Sequence, residues 1–477
     1  MTTPRSSRSA TKASRAVVQC DACGHRPPRW VGRCPECNEW GSVIEISAEP
    51  AALRNMTARV PSDPARPIST ISAEPARRRP SGVAELDRVL GGGLVPGAVI
   101  LFAGEPGVGK STLLLDVAQQ WAANADTPAL VISGEESASQ VRLRAERIGA
   151  LHERLYMAAE GDLTTILGHV DAVQPGLLII DSVQTVSSPG TDGVPGGVTQ
   201  VRAVAAALVA TAKERGIATV LVGHVTKDGT VAGPRVLEHL VDVVLNFEGD
   251  RHSSLRLLRS MKNRFGAADE VGCFEMHESG IASLPDPSGL FITRHADAVP
   301  GTCVTVTMEG RRALIAEIQA LVGAEMPGNP RRTVSGLDGA RLAMVLAVLQ
   351  RRARLKLHDR EVFAATVGGM KITEPAADLA LALAVASATH DIPLTPDLVA
   401  IGEVGLTGEV RRVGAVPRRL AEAARLGYRM ALVPPGCGPN NTSKAPEGMR
   451  VLEVADLRTA LHAAATAYAQ AANEGPN

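Results

Sequence analysis

Two clusters of residues in this chain have the types and spacing to do chemistry. Gly104-Glu105-Pro106-Gly107-Val108-Gly109-Lys110-Ser111-Thr112 fills every fixed position of a phosphate-binding loop, follows an apolar run at 99–103 and leads into Leu113, Leu114 and Leu115. Its glycines allow the backbone to turn N–H groups inward around phosphate oxygens, in conformations that a Cβ forbids. The phosphates then sit at a helix N-terminus. Lys110 can reach the β- and γ-phosphates, Ser111 can ligate the magnesium ion that bridges them, and Thr112 adds a phosphate contact. ATP is the ligand these residues call for. The second cluster is Cys20-Asp21-Ala22-Cys23 and Cys34-Pro35-Glu36-Cys37, two knuckles with ten residues between them. That spacing brings four thiolates round one tetrahedral ion, and zinc is the metal such a set prefers. So small a segment, with Trp30 and Trp40 as its main apolar mass, needs the ion to fold. Two disulfides or a redox pair are the competing readings, and His25 between the knuckles reads as a surface residue.

In open α/β sheets a ligand lies beyond the carboxyl ends of the strands, so the residues that follow each short apolar run matter. Asp181, after the run at 177–180, is the acid expected to hold magnesium through water opposite Ser111. Glu135 and Glu136 follow the run at 129–133, expected beside the phosphate-loop strand. Glu135 is the first candidate for the base that activates water and Glu136 the second, the alternative being acids that favour a helix dipole. His224 follows the run at 219–222, ahead of Val225-Thr226-Lys227, and reads either as a γ-phosphate sensor or as a structural histidine. Lys262-Asn263-Arg264-Phe265-Gly266 is a compact basic motif on a turn, after a strand pair expected from 243 to 258. Its separation from the loop suggests action in trans, on a neighbour's γ-phosphate or on DNA, against the reading of a solvated hairpin.

These residues need a scaffold. Residues 81–285 read as alternating strands and helices around a mostly parallel sheet, with strands at 99–103, 129–133, 177–180, 219–222 and 243–247. Residues 286–466 read as a second α/β domain, with helices near 340–354, 376–390 and 418–427. The zinc knuckle is expected at 19–46, an Ala, Pro, Ser and Arg linker at 47–80, and disordered tails at 1–18 and 467–477. The first tail carries Arg5, Arg8, Lys12 and Arg15, a composition that also fits an organelle transit peptide. A chain of 477 residues that is 45% hydrophobic can bury more than one core. No apolar run reaches the ~18 residues of a membrane span, and four of seven cysteines lie in one cluster, so a cytoplasmic protein without a membrane partner is expected. Net charge is zero, so nucleic-acid binding would rest on local patches, and aromatics at 3% leave little for base stacking. One such patch lies between Arg311 and Arg360, where ten bases face four acids; phosphate binding and solvated helix faces explain it equally.

The four-cysteine knuckle, the phosphate loop, the Lys262–Gly266 turn and Gly402-Glu403-Val404-Gly405-Leu406-Thr407-Gly408-Glu409 together resemble the RadA (Sms) family of bacterial DNA-repair proteins, from Val18 to about Ala465. The Lys-Asn-Arg-Phe-Gly motif is specific to that family, whereas the loop alone fits many. The resemblance implies a RecA-like ATPase core fused to a domain shaped like the Lon protease, assembled as a ring, a hexamer, that encircles DNA. It implies a DNA-dependent ATPase that binds single-stranded and branched DNA and acts with the recombinase RecA in branch migration and strand exchange. Lys262 and Arg264 would then couple ATP state to DNA. Lon proteases use a Ser–Lys dyad, the serine within Pro-Ser-Ala-Gly; the matching stretch here is Pro375-Ala376-Ala377-Asp378. After Gly414, Ala415-Val416-Pro417-Arg418 puts Pro417 where the lysine would stand. Without hydroxyl or amine no acyl-enzyme forms, and Lys371 has no serine to activate. The domain is therefore expected to be a proteolytically inactive scaffold for oligomerisation and DNA binding. The rival reading is a nucleotide switch that controls partner binding without translocation.

Overall fold

The computed structural model describes residues 17–46, 65–224, 234–249, 254–293, 298–325, 328, 330–438 and 445–474. Most of the expected N-terminal tail, linker residues 47–64, the final three residues and Val225-Thr226-Lys227 lie outside the described residues. The chain divides into two compact units, Met1–Ser72 and Ala73–Asn477. Among the described residues no helix is long and apolar enough to cross a membrane.

In the first unit, β1 (Val17–Cys20) pairs antiparallel with β2 (Val43–Ile46), placing Cys20 opposite Val43. The interior is Val18, Cys20, Cys34 and Val43. Trp30 and Trp40, expected as the apolar mass, are instead 60% and 75% exposed. The converging thiols occupy the centre of so small a unit and leave no room for an indole. Trp30 rests on the surface, donating its ring N–H to the Val43 carbonyl at 2.8 Å, and the Arg33 guanidinium lies 5.8 Å from the Trp40 ring centre.

The second unit begins with α1 (Ala84–Leu90), then builds a nine-stranded sheet. Six parallel strands come first: β3 (Val99–Gly104), β4 (Ala129–Ser133), β5 (Leu155–Ala159), β6 (Leu177–Asp181), β7 (Ala218–His224) and β8 (Val243–Gly249). Antiparallel β9 (Leu255–Asn263), β10 (Val271–His277) and β11 (Gly280–Ser283) complete it, in the order β11-β10-β9-β8-β3-β7-β6-β4-β5. The central strands are apolar on both faces because helices cover both, as parallel sheets require. α2 (Lys110–Asn124) and α3 (Ala138–Ile148) pack with one buried cluster, α4 (Leu163–Val173) and α5 (Val198–Arg215) with the other. Two strands, β7 and β6, separate β4 from β3, so the Glu135 strand is not beside the phosphate-loop strand as expected. The order of crossovers, which no local pattern encodes, decides this.

The remaining sheet runs β14-β15-β13-β12-β16-β19-β20, from β12 (Thr302–Glu309), β13 (Arg312–Glu325), β14 (Arg332–Ser335), β15 (Arg360–Thr366), β16 (Leu398–Ala400), β19 (Met430–Val433) and β20 (Arg450–Glu453). A small hairpin, β17 (Glu403–Val404) with β18 (Val410–Arg411), stands apart. The helices are α6 (Gly339–Arg352), α7 (Asp378–His390), α8 (Val416–Arg425) and α9 (Leu457–Glu474). α7 is apolar all round and accordingly buried along Asp378–Ser387. A buried ion pair ties this half to the nucleotide half: Arg312, 7% exposed in its side chain, meets Glu85 on α1 and also donates to the Pro285 carbonyl at 2.6 Å. Arg312 therefore leaves the cationic stretch that was counted toward phosphate binding.

Candidate ATP site and metal centre

The phosphate loop leaves the end of β3 between β7 and β8 and enters α2. A Cβ on Gly104 would stand 2.4 Å from the Phe247 carbonyl oxygen, and one on Gly109, whose φ is +106°, 2.6 Å from Ile281 Cδ1. At Gly104 only hydrogen fits against the backbone, and at Gly109 the left-handed φ is what favours glycine. Lys110 is buried, and its ammonium donates to the carbonyls of Gly104 at 3.0 Å and Glu105 at 2.9 Å, bracing the loop. Burial lowers its pKa, against the opposing pull of Asp181 and Glu135. Ser111 and Thr112 follow, half-buried, and Ser111 hydrogen-bonds Asp181 at the end of β6. Burial, reinforced by the Glu135 charge, raises the Asp181 pKa.

Glu135 and Glu136 diverge. Ser182 Oγ donates to Glu135 Oε1 at 2.6 Å, and His224 Nε2 lies 3.0 Å from the same oxygen. Burial pushes the Glu135 pKa up, but these bonds and the Lys110 charge outweigh it and leave the carboxyl below its ordinary 4.5. Glu135 is thus held ionised. Its neighbour turns away: Glu136 takes Arg144 Nη2 at 2.5 Å, and its N–H donates to Ser133 Oγ at 3.0 Å. Glu135, Asp181 and His224 each bring a ligand atom within 4.8 Å of the others, so two carboxylates and an imidazole converge beside the phosphate loop. Ser182 escaped sequence reading, although its place after the carboxyl end of β6 could have marked it.

Lys262 and Arg264 sit elsewhere. Asn263 is opposite Val243, which is level with Ile100 near the start of β3, so the basic turn occupies the end of the sheet remote from the loop, roughly 13 Å of strand away. Lys262 and Asn263 end β9 rather than standing on the turn. The Lys262 ammonium caps the carbonyls of Glu238 at 2.6 Å and Val241 at 2.8 Å. Arg264 pairs with buried Asp242 at 3.0 Å, Lys213 approaches that same carboxylate at 3.8 Å, and Arg78 donates to the Phe265 carbonyl. Arg264 and Lys213 share the Asp242 carboxylate, while Lys262 and Arg78 hold backbone carbonyls.

In the first unit the four cysteine Sγ atoms lie within 4.8 Å of one another, with Cys20 to Cys37 at 3.7 Å and Cys23 to Cys34 at 3.6 Å. Zinc–sulfur bonds of about 2.3 Å give tetrahedral edges of about 3.8 Å, so the thiols fit zinc. Each knuckle closes on its first cysteine, Gly24 N–H donating to Cys20 O at 2.9 Å and Asn38 N–H to Cys34 O at 3.0 Å.

At the position of a Lon dyad, Ala376 is buried and Lys371 exposed. Glu374, two residues before Ala376, binds Arg419, two residues after Pro417, through two bonds of 2.7 Å. The two dyad segments are packed together, and a structural ion pair joins them.

Residues 65–230 match the family model of the AAA domain, 19–45 that of the rubredoxin metal binding domain, and 366–436 that of subunit ChlI of Mg-chelatase. DNA repair protein RadA of Mycolicibacterium smegmatis is 55% identical over 458 residues, covering 94% of this chain and 96% of its own. That of Mycobacterium tuberculosis is 53% identical over 453 residues, covering 94% and 93%, and that of Streptococcus pyogenes 43% over 454, covering 94% and 98%. With a zinc ribbon, an AAA ATPase domain of RecA-like fold and a ChlI-like, Lon-like C-terminal domain in one chain, this protein belongs to the DNA repair protein RadA family.

Proposed function

We propose that the chain is a cytoplasmic, DNA-dependent ATPase of recombinational repair, working as a hexameric ring that binds single-stranded and branched DNA and drives branch migration together with RecA. The observation that carries this reading is the cationic turn at the end of the sheet opposite the phosphate loop. Lys262 and Arg264 lie away from their own chain's loop, so to serve DNA or a neighbouring subunit's nucleotide they would exchange their present partners, the Glu238 and Val241 carbonyls and the Asp242 carboxylate, for phosphate.

In this mechanism Gly104–Thr112 cradle the triphosphate, with Lys110 shifting from its loop carbonyls to the β- and γ-phosphates. Ser111 and Asp181 would hold a magnesium ion. When bound, that ion neutralises charge developing on the phosphate oxygens. Glu135 accepts a proton from the attacking water, while Ser182 and His224 hold its carboxylate in place and His224 senses the loss of γ-phosphate. A basic group of the neighbour, Lys262 or Arg264, stabilises the transition state. We place the ATPase domain at 81–285 and the proteolytically inactive Lon-like domain at 286–466. The absence of serine and lysine from Pro375–Asp378 and Ala415–Arg418 supports inactivity.

The test is ATP-dependent movement of a synthetic branched junction by the purified chain. Movement lost in Lys110→Ala supports the motor. Turnover without movement, together with nucleotide-dependent partner binding, replaces it with the switch.

A further inference from the structure

The nine-stranded sheet holds an arginine that the mechanism above leaves out. Arg256 lies on β9, two strands from β3, and is 7% exposed. Its Nε donates to the Val108 carbonyl of the phosphate loop at 3.2 Å, and its Nη1 donates to the Leu255 carbonyl at 2.9 Å. To reach the loop the side chain passes over Gly249, its register partner on β8. A Cβ there would stand 2.2 Å from Arg256 Cδ and 2.6 Å from its Nε. Gly249 is exposed and its φ lies outside the left-handed range, so the backbone itself does not demand glycine. The crossing arginine does. Nη2 lies 3.5 Å from Met276 Sδ, and the Met276 methyl in turn packs over Gly109.

We propose that Arg256 is a positioning residue for nucleotide binding: it fixes the Val108–Gly109 peptide so that the Gly109 N–H faces the phosphates. In a planar trans peptide the C=O and N–H point opposite ways, so a donor that holds the Val108 carbonyl outward aims the next N–H inward. A guanidinium suits this task because its planar fork bonds the loop, its own strand and the Met276 sulfur in one orientation. The role rests on the ATP-binding reading of residues 104–112.

Equilibrium ATP binding and steady-state turnover would be measured on the full chain for wild type, Arg256→Met, Arg256→Lys and Gly249→Ala. Loss of one charged hydrogen bond to the loop predicts roughly tenfold weaker ATP binding in Arg256→Met, read mainly as a raised KM rather than a lowered kcat. Arg256→Lys restores part of the affinity. Gly249→Ala, which removes nothing from the loop and stands on an exposed, unstrained residue, reproduces the loss by displacing Arg256, and it decides the matter if Arg256→Met does not fold. Wild-type affinity in Gly249→Ala or in folded Arg256→Met overturns the inference. A wild-type chain that fails to bind ATP overturns the phosphate-loop reading instead.

Discussion

Glu135 and Glu136 share a loop and a chemistry and differ only in their partners. Ser182, 47 positions away in sequence, and His224, 89 away, hold Glu135 beside Asp181, whereas Arg144 draws Glu136 onto α3. We expect Glu135→Gln to cut ATP turnover by about 10²- to 10⁴-fold with ATP binding retained, the range for a positioned general base. Glu136→Gln should keep turnover within a few-fold, and single-turnover kinetics on both variants checks the contrast. The phosphate loop and the four cysteines were legible because each motif is local and its chemistry dictates its spelling. The choice between adjacent glutamates was not, because it depends on side chains that only the fold brings near. A second consequence at this scale concerns Glu374. Burial raises its pKa, but Arg419 and the Met308 N–H lower it further, leaving it below the ordinary 4.5. A depressed carboxylate stabilises the fold above its unfolded pKa and loses that contribution as pH falls through the folded one. Melting temperature should therefore drop as pH falls below about 4.5, and Glu374→Gln should flatten that drop; an unchanged slope would remove the ion pair from the account.

At the scale of elements, the apolar runs marked β3, β4, β6, β7 and β8 to within two residues, because strands buried on both faces read as continuous hydrophobic stretches. β5 at the sheet edge escaped notice although its five residues are apolar, since Leu-Tyr-Met-Ala-Ala lacks the β-branched residues that mark the central strands. Strand order was illegible too, since pairing joins residues distant in sequence; hence the misplacement of β4 beside β3. The zinc ribbon shows the converse case, its ligands plain in the sequence but its tryptophans wrongly assigned to the interior. Cys34→Ser should release zinc, measured as metal per chain, and loosen the knuckle that Cys34 closes through Asn38. Retained stoichiometric zinc would count against the four-thiolate site. In the loop-to-helix junction, Gly109→Ala would force Ile281 and Met276 aside and strain a φ of +106°. Its expected outcome is ATP affinity weakened by tenfold or more, on the order of the 1–3 kcal/mol such strain costs, with the apo protein still folded by circular dichroism.

Across the whole molecule, the nucleotide and Lon-like halves are joined by an ion pair whose partners are both nearly inaccessible. Without Arg312, buried Glu85 keeps only Arg88 at 3.4 Å and the Cys273 N–H at 2.8 Å, so Arg312→Met should destabilise by about 1–3 kcal/mol in urea unfolding, and Glu85→Gln should add little on top of it. Additive losses would mean the two residues act separately. The phosphate loop stands at one end of the nine-stranded sheet and the cations of Lys262 and Arg264 at the other. On the proposed mechanism these ends communicate through DNA or a neighbouring subunit. The direct measurement is ATP turnover with and without single-stranded DNA, for wild type, Lys262→Ala and Arg264→Ala, each shown to bind ATP. Strong stimulation by DNA is expected in wild type, and its loss in both variants. Wild-type turnover indifferent to DNA, or stimulation that survives both substitutions, would contradict that mechanism.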